Sequence, residues 1–113
     1  MRYSVKKKAK EADLPLDVTR TIVSLCNDYD RRKAEIEKGR LEEPVLANYH
    51  RLNSLIDEAI ATVCEEAIRE PMRRDIGLGR GHLMSPIYFL SEKTYKLRKR
   101  CAKYEIARIL SLI

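Results

Sequence analysis

"PVLANYHRLNSLIDEAIATVCEEAIREP", residues 44–71, is the stretch on which the fold turns. Val45, Tyr49, Leu52, Ile56, Ala59 and Val63 follow one another at spacings of four, three, four, three and four. Side chains so spaced share one face of an α-helix, in the manner of a heptad seam. Leu55, Ile60, Cys64, Ala67 and Ile68 widen that face, so the helix meets more than one neighbour. Pro44 suits the first turn, where a missing N–H costs nothing, and Pro71 should end or kink the helix. A helix over 44–70 is about 40 Å long, whereas a globule of this chain length is only about 35 Å across. Either the molecule is elongated or a second copy covers the excess apolar surface. The six seam residues are therefore the expected oligomer interface, and a homo-dimer or higher homo-oligomer the expected state.

Working outward, residues 17–39 read as a second helix. Asp17 is its expected cap, Val18, Ile22, Leu25, Tyr29 and Ile36 its apolar face, and Gly39 its stop. Upstream, residues 1–14 carry Arg2, Lys6, Lys7, Lys8 and Lys10 and read equally as a short helix or as a basic arm. Downstream, glycines at 77, 79 and 81 and Pro86 mark a connector over 77–86. It is no phosphate cradle, because His82 stands where a GxGxxG loop needs glycine and no GK[ST] follows. Ser85 and Pro86 could open one helical turn. Ser91 is then the expected cap of a last helix over 91–112, with Glu92 complementing its dipole. Tyr95, Ala102, Ile106, Ile109 and Ile113 form its apolar stripe. The expected architecture is one all-α domain, residues 1–113, of three main helices: 17–39, 44–70 and 91–112.

Composition agrees and narrows the function. Four Gly and four Pro in 113 residues favour helices over a turn-rich β fold. No apolar run reaches the roughly 18 residues that span a bilayer, and no secretory leader is evident, so a cytoplasmic protein without membrane contact is expected. Cys26, Cys64 and Cys101 are odd in number and far apart, with no CxxC pair and only His50 and His82 beside them. They read as reduced core residues, and no metal or other cofactor is expected. The adjacent carboxylates Asp57–Glu58 and Glu65–Glu66 point about 100° apart on a helix and cannot jointly flank a substrate. No Ser–His–acid or Cys–His set is visible, so neither catalysis nor a small-molecule substrate is expected.

Charge supplies the positive signal. The formal net charge of +6 is divided as +5 over residues 1–10, −5 over 11–79 and +6 over 80–113. Between Lys93 and Lys103 stand six lysines or arginines and no acid. Like charges three or four residues apart repel on an isolated helix, and a field of phosphates would compensate them. The expected contacts to duplex DNA are Lys93, Thr94, Lys96, Arg98, Lys99, Arg100 and Lys103, with Lys6, Lys7 and Lys8 of the arm. The alternative is a helical oligomeric interaction or assembly module without nucleic-acid binding, working through the seam of residues 45–63.

The segment "SEKTYKLRKRCAKYEIARIL", residues 91–110, also resembles the C-terminal helix of phage late-gene transcriptional activators of the ArpU and RinA kind. The resemblance rests on a Ser cap, Thr-Tyr ahead of a basic run, then Ile-Ala and an aliphatic end. It implies a sigma-like helix-turn-helix and a phage-derived regulator of transcription. It would set Ser91, Lys93, Thr94, Lys96 and Lys99 nearest the DNA, with Arg98 and Arg100 on phosphates. Residues 59–76 would have to serve as the supporting helix across a long connector.

Overall fold

The structure, a computed structural model, describes residues 14–113. Among the described residues it is all-helical: α1 Leu16–Asn27, α2 Tyr29–Lys38, α3 Glu43–Val63, α4 Glu66–Leu78 and α5 Glu92–Ile109, with a 3-10 turn at His82–Met84. The basic arm with Lys6, Lys7 and Lys8 lies outside the described residues. α3 packs along α5 and α1 across α4, so the two central pairs share one core. Ile22, Ile56, Ile68, Met72, Ile76 and Ile106 fill it without exposed surface to speak of. Each such side chain contributes about 1.5–3 kcal/mol on burial.

The expected first helix is interrupted at Asp28. It starts one residue early, at Leu16 behind Pro15, so Asp17 is a first-turn acid rather than the cap. Asp28 still donates to the Ser24 carbonyl and accepts from Arg32 N–H, both at 3.0 Å. What divides the ladder is Arg32, which is buried and sends Nη2 to the Leu25 carbonyl. A side chain that takes a helix carbonyl is an ordinary cause of a kink. Nε of Arg32 donates to Asn53 Oδ1 of α3 at 2.7 Å, and Asn53 Nδ2 donates to the Tyr29 carbonyl at 3.3 Å. The bend is thus tied to α3. Gly39, at φ 68°, ends α2 as its place in the sequence implies.

The 44–70 helix is also divided, and this removes the length argument. Cys64 and Glu65 are extended, at φ/ψ of −121/137° and −62/150°, and the chain restarts as α4. Two guanidinium groups hold the carbonyls at the break: Arg98 Nη1 donates to Val63 O at 3.1 Å, and Arg69 Nε to Cys64 O at 2.9 Å. Cations at a helix C-terminus satisfy its orphan carbonyls and its dipole. Pro71 neither ends nor starts a helix; it lies inside α4, which has begun five residues earlier at Glu66. The described residues fit within 43 × 29 × 29 Å, so no second copy is required to cover an overlong helix. Ile56, Ala59 and Val63 of the seam are buried in the chain's own core, Tyr49 and Leu52 are half-buried, and Val45 alone of the six is exposed.

The connector begins later than its glycines suggest and runs on to residue 91. Gly77 belongs to α4 and is buried; Gly79, at φ 67°, is the C-cap. A Cβ on Gly77 would lie 2.7 Å from the Asn27 backbone nitrogen and 2.9 Å from the Cys26 carbonyl carbon. Glycine is therefore what lets α4 touch the end of α1. Ser85 and Pro86 open no helical turn, and residues 85–91 run as bends and a turn.

Gly77→Ala should cost about 1–3 kcal/mol through overpacking, with a melting temperature lower by on the order of 10 °C. Gly81→Ala, which meets nothing within 4 Å, is the matched control and should leave it unchanged. Equal melting curves for the two variants would refute the close helix contact.

Candidate nucleic-acid interface

α5 begins as its sequence implies. Ser91 Oγ accepts from Thr94 N–H at 3.1 Å and donates to Thr94 Oγ1 at 2.9 Å, so Thr94 belongs to the cap. Glu92 follows in the first turn and pairs with Lys96 at 2.7 Å, which holds its carboxyl below the usual range. One arc of the helix is core: Tyr95, Cys101, Ala102, Glu105 and Ile106 are buried.

The cations of α5 are not all placed alike, and Arg108 near its end pairs with Glu105 at 3.0 Å. Arg98 and Lys99 are engaged within the chain. Arg98 binds Glu65 at 2.7 Å besides the Val63 carbonyl, and so joins α5 to the α3–α4 break. Lys99 Nζ donates to the Arg80 carbonyl and lies 5.7 Å from the Tyr95 ring centre. Burial, and then the charge of Lys103, lower its pKa against the opposing pull of Asp75. The sequence expectation sets Arg98 and Lys99 toward an outside polyanion, whereas in the structure both side chains bind groups of the fold. Lys93, Lys96, Arg100 and Lys103 lie on another arc of the helix. Their spacing of three, four and three sets them along one face of α5. Lys93, Lys96 and Arg100 are exposed, and Lys103 is half-buried.

A buried carboxylate fixes this helix to the rest of the molecule. Asp75 of α4 has no accessible surface. Its Oδ1 accepts from Arg80 Nε at 2.9 Å, and its Oδ2 from Tyr95 OH at 2.8 Å and from Ser85 Oγ. Ser85 Oγ in turn accepts from Ile87 N–H at 3.0 Å. Farther along, His82 Nε2 meets the Leu90 carbonyl at 2.7 Å, closing the connector on itself. An ionised carboxylate out of water is costly unless its lone pairs are met, and here three donors meet them. None of these partners could be assigned from spacing, although "DIGLGR" places Arg80 five residues from Asp75.

Of the carboxylates considered for catalysis, Asp57 and Glu65 are engaged as well. Asp57 accepts from Tyr29 OH at 2.8 Å beside a groove of about 500 Å³ between α2, α3 and α4. In that groove Arg73 lies 3.7 Å over the Tyr29 ring and pairs with Asp30 at 3.4 Å. Among the described residues no three His, Cys, Asp or Glu side chains converge as a metal site. No helix among them is long and apolar enough to cross a membrane. Cys26, Cys64 and Cys101 are buried and form no disulfide, and burial pushes the thiols of Cys26 and Cys64 up to about 12.

Burial first, and then the accepting carboxylates Asp75 and Asp57, push the phenols of Tyr95 and Tyr29 from 10.0 up to about 12. A group whose folded pKa is raised stabilises the native state fully below its unfolded value. That contribution should disappear as pH rises from 10 to about 12. Alkaline unfolding followed by circular dichroism should show the loss, with a flatter profile for Tyr95→Phe. At neutral pH Tyr95→Phe should cost about 1–3 kcal/mol, because Asp75 then loses a donor. A Tyr95→Phe profile superimposable on that of the parent would remove Tyr95 from this account. In comparisons with known proteins, the chain matches no family model, no curated protein and no solved structure.

Proposed function

We propose that this chain is a non-enzymatic nucleic-acid-binding protein that lays α5 against the phosphates of duplex DNA. The observation that carries the reading is the stripe Lys93, Lys96, Arg100 and Lys103, on the side of α5 away from the core residues Tyr95, Ala102 and Ile106. Lys96 shares its charge with Glu92, but both side chains are more than half exposed, and such a pair is weak enough to open for a phosphate. Phosphate contacts of this kind give affinity and orientation; base edges would be read by whatever lies between the lysines. The phage-activator resemblance of residues 91–110 supplies the same ligand and a role in regulating transcription. Residues 79–91 separate α4 from α5, whereas the turn of a helix-turn-helix has only three or four residues. On this reading α5 works as a single basic helix, held in place by Asp75, Arg98 and Lys99.

A titration of random duplex DNA at several salt concentrations tests it. Four phosphate contacts give a slope of log K against log salt of about −3.5, and Lys93→Glu with Lys96→Glu should make it shallower by about two. Affinity at physiological salt should fall by roughly ten- to a hundredfold. Lys33→Glu with Lys38→Glu alters net charge equally on α2 and should change the slope little. Binding that is absent, or equally sensitive to both pairs, would overturn the assignment.

A further inference from the structure

Residues 81–91, "GHLMSPIYFLS", contain no Asp, Glu, Lys or Arg, in a chain where those four types make up 35%. Four large apolar side chains of this segment face outward: Leu83 is 94% exposed, Met84 75%, Tyr88 79% and Phe89 63%. The backbone that bears them is nevertheless fixed. Ser85 is held on Asp75, Ile87 is buried in the core, and His82 binds the Leu90 carbonyl. Anchored and outward residues alternate, so the exposure is a property of the fold. The Tyr88 and Phe89 rings meet edge to face with centres 6.3 Å apart.

We propose that two copies of the chain associate through this connector patch. Four side chains of this size offer on the order of 600–700 Å². That exceeds the largest apolar patch of most monomers and approaches the roughly 800 Å² per partner of a stable interface. Aromatic residues and Met without charge are also the composition of an interface core. The rim identifies the occupant. Beside Pro86 an adjoining groove is lined by Glu66, by the Glu70–Arg74 pair at 2.9 Å and by Arg80, which Asp75 holds; Glu92, paired with Lys96, and Lys93 follow the patch on α5. A rim whose charges are mostly balanced in place, with Glu66 and Lys93 as its further acid and base, meets its own copy across a two-fold axis without net repulsion. A strongly acidic or strongly basic partner would leave half of that rim opposed. This surface differs from the seam of α3, whose inner half is core, and it does not depend on the nucleic-acid reading.

Sedimentation equilibrium of the full chain, from micromolar to millimolar concentration, decides the matter. The expected result is twice the chain mass of 13.2 kDa, falling to the single mass for Leu83→Glu with Tyr88→Glu at unchanged helical circular dichroism. If the charged variant loses helicity, Leu83→Ser with Tyr88→Ser provides the milder comparison and should give the same loss of mass. A single mass for the parent chain throughout would overturn the proposal, as would a dimer that survives the folded variant.

Discussion

The carboxylate of Asp75 is the group around which the second half of the chain is arranged. It is fully buried, and its three donors come from the residue that follows the C-cap of α4, from the connector and from α5. A side chain of this kind is not a large net source of stability, because desolvation consumes most of what the contacts return. Its effect is on geometry. With Asp75 satisfied only when Arg80, Ser85 and Tyr95 converge, the connector has one path and α5 one position along α4.

Arginine plays the corresponding part at the helix breaks. Arg32 crosses the α1–α2 kink to Asn53, while Arg69 and Arg98 hold the carbonyls released between α3 and α4. Burial lowers the pKa of Arg32, yet its guanidinium keeps two good acceptors, and a planar donor fork serves such sites better than an ammonium would. Much of the positive charge that dominates the composition is therefore internal wiring. The stripe of Lys93, Lys96, Arg100 and Lys103 is the part of α5 that the packing leaves at the surface or near it.

The helical character was legible because apolar spacing is a direct record of which face is buried. The spacing also held a clue to Arg32, which fills the place between Tyr29 and Ile36 in the stripe of α1 and α2. The break at Cys64–Glu65 left no such record. Cys64 and Ile68 continue the periodicity across it, no Gly or Pro marks it, and one of its two capping guanidiniums comes from a residue more than thirty positions away. Gly77 misled for a related reason: a glycine required for helix contact looks the same in sequence as one required for a turn. Of the basic run, the number of cations was readable, but the inward turn of Arg98 and Lys99 depends on where Val63 and Arg80 end up.

Because Ser85, Ile87 and His82 peg the connector at short intervals, its outward side chains are held before anything meets them. A loose loop bearing the same leucine, methionine and aromatic residues would surrender backbone freedom on contact, at about 1–2 kcal/mol for each residue ordered. Here that entropy has already been lost in folding. The segment is preorganised, so contact with it forfeits little beyond rotamer freedom of the side chains themselves.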